Sequence, residues 1–210
     1  MSNKYPILLG IVTSLLAALF TALFGIFIVL DNKLIYFLVC LLLSFSVVVM
    51  VVSMRAFIAQ EKKVFINCAV AFAIMYAVLV GMVYYTQFVV LKGTLTPDQL
   101  TIVSDAPGTV FFFIDMLGYV FLCLATLFMA FSIDWSHKAF RVLLGIHSVI
   151  AIPTFLLPFL PISFSSSEAS GQVSGPLILV AWCIIFIPVC LLATNYFRKQ
   201  RNTKPESETG

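Results

Sequence analysis

Apolar residues fill six long blocks of this chain, at positions 6–30, 34–54, 64–91, 109–133, 142–162 and 176–197, and polar residues collect in the short gaps between them. Each block meets the roughly 20 residues that a helix needs to cross a hydrocarbon core of about 30 Å. Inside that core the backbone N–H and C=O groups have no water to bond, so each block is predicted to be a helix. The blocks are too long for membrane strands and do not alternate polar with apolar residues. The first block follows a basic residue, Lys4, as a signal peptide does. It is longer than an ordinary signal core and no small-x-small site precedes Asp31, so it reads as a retained first helix.

Composition agrees. Hydrophobic residues make up 62% of the 210 and charged residues 10%, with a mean hydropathy of +1.12. A soluble domain carries about 45–50% apolar and about 25% charged residues. A water-soluble fold of this length could not hide so much apolar surface, so lipid must be the solvent. The expected fold is an all-α polytopic bundle of six transmembrane helices. It forms one domain over residues 1–201, followed by a disordered tail over 202–210.

The cations sort by gap. Lys4 precedes the first block. Arg55, Lys62 and Lys63 lie between the second and third, Lys138 and Arg141 between the fourth and fifth, and Arg198, Lys199, Arg201 and Lys204 after the sixth. The remaining gaps hold only Lys33 and Lys92 among Asp31, Asp98, Asp105 and Glu168. Short cytoplasmic loops retain Lys and Arg, which places both termini in the cytoplasm of a cell membrane, the inner membrane if the source is bacterial. Tyr5, Trp135 and Tyr196 fall near that boundary and Tyr36 near the opposite one, where interfacial aromatics anchor helices.

Two gaps on the outer side are longer. In 92–108, Thr96, Pro97 and Gln99 have the spacing of a capping box with proline at the first helical position, so a turn or two of helix is predicted to end near Ser104. The Ser/Gly-rich stretch 163–175 reads as flexible. In the fifth block, Pro153 predicts a kink, and Pro158 and Pro161 predict an early or irregular end.

Small residues recur every four positions at Gly10, Ser14, Ala18 and Ala22, and again at Ala69, Ala73, Ala77 and Gly81. Such stripes let helix backbones approach closely in lipid. They are expected to serve contacts within the bundle, with a homo-oligomer or a membrane-protein partner as the other use.

Asp115 is the sharpest chemical feature. A carboxylate at the bilayer centre costs about 2.5–3.5 kcal/mol on the insertion scale. The Leu, Ile, Val and Phe residues around it let the fourth helix insert, but the group still needs a partner or a proton. It lies about seven residues past Gly108, roughly 10 Å deep. Tyr84, Tyr85 and Gln87 on the third helix share that depth, and Tyr119 lies one turn further along the fourth. These five residues form the expected outer-leaflet polar cluster. Intramembrane acids are functional-site candidates by default, with helix-to-helix glue as the competing role. His147 is the second candidate. A hairpin of the fourth and fifth helices sets it level with about Leu127, far from Asp115, and Asn67 is the expected partner at that depth.

Other chemistry finds no motif. The five cysteines lie in predicted helices with no C-x-x-C pair and read as small apolar fillers. One buried histidine rules out a two-His haem site within the chain, and a lone intramembrane acid argues against a two-Asp protease. Neither H-E-x-x-H nor a phosphate-binding glycine loop is present. No metal, cofactor or nucleic-acid partner is expected, and an enzyme is the least favoured class.

In its six-helix pattern, and in Tyr84, Tyr85, Thr86 and Gln87 followed by Asp115, Met116, Leu117, Gly118 and Tyr119, the chain resembles uncharacterised bacterial multi-pass membrane proteins with domains of unknown function. The likeness rests on the middle third of the chain. Such families carry no assigned activity, so it implies no function. The leading expectation is small-molecule, lipid or proton binding or transport at the outer-leaflet cluster. The competing one is a regulatory or scaffolding subunit that works through helix–helix contacts.

Overall fold

A computed structural model describes residues 4–106, 108–159 and 175–202. Its elements are α1 (Lys4–Val29), α2 (Lys33–Met54), α3 (Lys63–Leu91), α4 (Pro97–Val103), α5 (Val110–Ser132), α6 (Lys138–Val149), α7 (Ala151–Leu156) and α8 (Gly175–Asn202). Six segments are long and apolar enough to cross a membrane, with α6, α7 and a 3₁₀ turn at Leu157–Phe159 forming the fifth. The expected all-α, six-span fold is the fold observed. The expectations for Pro161, for most of the 163–175 stretch and for the tail beyond Asn202 lie outside the described residues.

The spans pack in chain order and the ring closes on itself. α1 lies against α2 and α8, α2 against α3, α3 against α5, α5 against α6 and α7, and α6 against α8. Polarity runs opposite to that of a soluble protein. Leu8, Leu19, Ile26, Leu38, Phe45, Val78, Ile152 and Ile184 are exposed, whereas Ser14, Thr21, Ser44, Gln87, Thr126, His147 and Thr194 are buried. In lipid, association of helices comes from close packing and interhelical hydrogen bonds, so the polar groups belong inside. Several buried hydroxyls bond the carbonyl one turn back, as Thr21 does to Ala17 at 2.7 Å and Ser14 to Gly10 at 2.6 Å.

Small residues set the closest approaches. On α1, Gly10 faces the Phe197 ring of α8, and Ser14 Oγ lies 2.7 Å from Thr194 Oγ1 on the same helix. That stripe therefore serves α8 inside the chain, with Ala18 buried and Ala22 half-buried. On α3, Ala69, Ala73 and Ala77 are buried in the core and Gly81 lies beside Leu41 of α2. Between α3 and α5 a close approach belongs to Gly118, outside either stripe, where a Cβ would stand 2.8 Å from Val80 Cγ2.

Short polar signals build the turns. Asp31 takes a left-handed φ of 51° at the end of α1. Its N–H bonds Ile28 O at 3.1 Å and the Asn32 N–H bonds Phe27 O at 3.0 Å, which satisfies the last carbonyls of the helix. Asn32 then caps α2 through a bond from the Ile35 N–H. The predicted capping box is present at α4: the Gln99 N–H bonds Thr96 Oγ1 and the Thr96 N–H bonds Gln99 Oε1. Thr109 caps α5 through a one-way bond, its Oγ1 accepting from the Phe112 N–H at 3.2 Å.

Three expectations need correction. The fifth span starts at Lys138 rather than 142, because Lys138 and Arg141 sit in the first turn of α6 instead of before it. The kink expected near Pro153 is present, with the break at Ile150, within one turn of the proline. A proline lacks the N–H that would bond the residue four back, and its ring crowds that carbonyl, which here belongs to Val149. The sixth span runs on to Asn202, five residues past Phe197, and it also accommodates Pro188 without ending. Tyr196 is 4% exposed and packs on Phe140, Phe197 and His137, so it is a core residue and not an interfacial anchor.

Gly10→Ala drives a methyl into the fully buried Phe197 ring, and overpacking of this kind costs about 1–3 kcal/mol. Gly145→Ala meets nothing within 4 Å and should instead raise stability by about 0.5–1 kcal/mol through helix propensity. Thermal unfolding of the two variants in detergent should move in opposite directions. Equal shifts would contradict the α1–α8 contact.

Candidate functional site

Asp115 is 8% exposed and sits five residues into α5, on the face turned to α3. The Tyr84 hydroxyl donates to its Oδ2 at 3.2 Å. Its Oδ1 is buried with no hydrogen-bond partner among the described residues. Tyr119, one turn along, carries its hydroxyl 3.8 Å from the Cys40 thiol of α2, within electrostatic reach of Asp115 and Tyr84. Tyr76 brings a third buried hydroxyl, without a partner among the described residues, from α3 to this centre, its ring 6.2 Å from that of Tyr119. Asp115, Tyr84 and Tyr119 are thus brought together, joined by Cys40 and Tyr76.

The other two members of the expected cluster go elsewhere. Tyr85 is 68% exposed, because a helix turns 100° per residue and the inward position belongs to Tyr84. Gln87 is fully buried one turn beyond Tyr84, but its Nε2 donates to Val103 O at 2.8 Å and ties α4 down over α3. Its Oε1 is buried without a partner among the described residues. Nearby, the Tyr36 hydroxyl donates to Asp105 Oδ2 at 3.1 Å, so α2 also holds the α4–α5 connection. Rings of Tyr36, Phe37, Phe24 and Tyr84 pack edge to face or tilted beneath this closure, at centroid distances of 4.4–6.4 Å. A buried carboxyl with one donor and one bare oxygen, ringed by hydroxyls, is chemically suited to hold a proton.

His147 and Asn67 do not meet. His147 is fully buried, whereas Asn67 is exposed on the outer face of α3. The partner of His147 on α5 is Thr126, next to Leu127 at the expected level, with Thr126 Oγ1 2.9 Å from Nδ1. The other ring nitrogen, Nε2, accepts from the Trp182 indole N–H of α8 at 3.0 Å. Donor counting fixes the tautomer. Indole only donates, so Nε2 accepts and Nδ1 carries the proton; Nδ1–H donates to Thr126 Oγ1, whose own hydrogen goes to Cys123 O at 2.8 Å. Every hydrogen-bonding atom of this set has its partner.

Trp182 joins the two polar sets. Its ring stacks on Phe186 at 5.0 Å and meets Tyr119 edge to face at 5.1 Å. Trp182, Thr126 and Tyr76 join these sets without a sequence-based expectation, and Cys40, expected as an apolar filler, lies beside the Tyr119 hydroxyl. Trp182 carried a usable signal, since a tryptophan buried in a membrane helix needs an acceptor for its N–H and His147 is the one neutral acceptor of its kind in the spans. A tyrosine or a cysteine in such a helix carries none, because each fits equally well as packing.

A double-mutant cycle on Trp182→Phe and His147→Leu should give a coupling of about 0.6–1.7 kcal/mol, the range met by interhelical hydrogen bonds in membranes. The same cycle on Asn67→Leu and His147→Leu should give none. Equal couplings would break the assignment of partners.

Comparison with protein-family models, with curated proteins and with solved structures finds no match. The resemblance to uncharacterised bacterial families is thus left without an identified family. The six apolar spans and the inverted polarity make this chain a multi-pass integral membrane protein.

Proposed function

We propose that this membrane protein takes up a proton on Asp115 and passes it, as the working step of proton transport at the outer-leaflet polar cluster. One observation carries the reading: an intramembrane carboxyl is buried with a single hydroxyl donor on Oδ2 and none on Oδ1. No described cation stands against it, and Asp115 enters none of the ion pairs among the described residues. A proton is the smallest group that neutralises such an oxygen, and it asks for no cavity. Tyr84, Tyr119 and Tyr76 are hydroxyls that can both accept and donate, which suits proton movement through a dry interior. In this reading both termini face the cytoplasm, as the distribution of Lys and Arg argues, and Asp115 lies in the outer half of the bilayer. Residues 1–201 act as one domain. The scaffold alternative draws less support, because Gly10 and Ser14 face α8 within the chain.

Infrared difference spectra of the reconstituted protein across a pH step should show the carbonyl band of a protonated carboxylic acid. Asp115→Asn should abolish the band, and Tyr84→Phe should shift its frequency by removing the hydrogen bond to Oδ2. In proteoliposomes holding a pH-sensitive dye, the wild type should dissipate an imposed proton gradient faster than empty vesicles, and Asp115→Asn should not. A folded Asp115→Asn protein with undiminished flux would refute the proposal. So would loss of that variant by degradation together with a wild type that shows no band, which would make Asp115 helix glue.

A further inference from the structure

The end of the bundle that bears the chain termini carries most of the cations, and the protein uses them unequally. Lys62 pairs with Asp134, and Lys63 donates to the Arg55 carbonyl. Arg141 is organised differently. It is half-buried, its guanidinium carbon lies 4.1 Å from the centroid of the Trp135 ring, and its Nη1 donates to Ile133 O at 3.2 Å at the end of α5. A guanidinium offers five N–H donors in a flat fork, and the cation–π contact occupies only its face. No carboxylate pairs with it among the described residues. Asp134, the nearest acid in sequence, is engaged by Lys62.

The surroundings match a lipid in both of its parts. Trp135 is 64% exposed at the end of a span, as an aromatic anchor at headgroup level is. Lys138, exposed on the first turn of α6, adds a second cation, and Lys199 of α8 lies within electrostatic reach of His137 in the same connection. One turn into the membrane from Arg141 stands Gly145, whose absent side chain leaves open space. Val142, Ile146, Val149 and Ile152 are exposed around and beyond it. A polar fork thus sits above an apolar notch on the lipid-facing side of one helix.

We propose that the α5–α6 connection binds an anionic phospholipid, with the headgroup phosphate on Arg141 and Lys138 beside Trp135 and an acyl chain along Gly145. Arginine suits this role better than lysine, because two parallel N–H groups meet two phosphate oxygens while the stem lies along apolar surface. The site is separate from the Asp115 proton site and stands or falls without it.

Native mass spectrometry of the full chain, titrated with phosphatidylglycerol or with phosphatidylcholine of the same acyl chains, tests this directly. The wild type should prefer phosphatidylglycerol. Arg141→Gln should lose roughly tenfold in affinity for it, as expected for removal of a charge-assisted hydrogen bond. Arg141→Lys should recover only part of that loss. Lys138→Gln and Trp135→Ala change exposed side chains, so they keep the test open if Arg141→Gln fails to fold; each should weaken the preference. Gly145→Leu should weaken binding of both lipids by filling the notch. Wild-type preference retained in Lys138→Gln and Trp135→Ala would overturn the proposal. Displacement of phosphatidylglycerol by millimolar inorganic phosphate would also overturn it, by showing a site for a soluble anion.

Discussion

In hydrocarbon a polar group has only the protein to bond, and this constraint arranges nearly everything in the molecule. It makes the backbone helical across six spans, because only a helix satisfies its own N–H and C=O groups within one segment. It turns hydroxyls inward or back onto their own helix, as at Thr13, Ser14, Thr21 and Ser46. It also explains why the bonds that cross between helices are few and specific. Ser14 with Thr194 joins the first span to the last, Tyr84 with Asp115 joins the third to the fourth, and His147 with Trp182 joins the fifth to the sixth. Around these points the packing is apolar and close, set by Gly10 and Gly118.

Spans and turns were legible in the sequence because their signals are local. Apolar length marks a span, and Thr96, Pro97 and Gln99 mark a capping box through atoms only three residues apart. Asp115 was legible for the opposite reason, as a residue whose solvation penalty demands an account wherever it sits. Partners were harder. Depth along a helix follows from counting residues, which is why Tyr84 and Thr126 lie at the levels expected for Asp115 and His147. Azimuth does not follow from counting. Tyr84 and Tyr85 share a depth, yet one bonds the carboxyl and the other faces lipid. Asn67 faces away from His147 for the same reason, and Trp182 meets His147 through the closure of α8 onto α6 and α1, which is a property of the whole ring.

The two polar sets in the interior differ in a way that separates structure from chemistry. In the His147 set, each donor finds one acceptor through Trp182, Thr126 and the Cys123 carbonyl, and nothing is left over. A network satisfied in this way rigidifies the helices it joins. The Asp115 set is incomplete: Oδ1 of the carboxyl and the hydroxyl of Tyr76 are both buried without partners among the described residues. Leaving a buried polar atom unpaired costs about 1–3 kcal/mol, more for a charged group. A structural tie between α3 and α5 would be better made by an asparagine or a serine, which carry no charge to desolvate.

Trp182 sets the relation between them. Its indole N–H is committed to His147, and its ring edge meets Tyr119, which flanks Asp115. The satisfied set therefore fixes one wall of the unsatisfied one. Tyr119 is held between Tyr76 on one side and Trp182 on the other, so its hydroxyl is kept toward Cys40. A proton site needs hydroxyls that reorient while their rings stay put, because a phenol O–H turns about its C–O bond without moving a heavy atom. The ring contacts here restrain the second kind of motion and leave the first open. The division of labour follows from side-chain chemistry: indole and imidazole hold the frame, and phenol and carboxyl are left with bonding capacity to exchange.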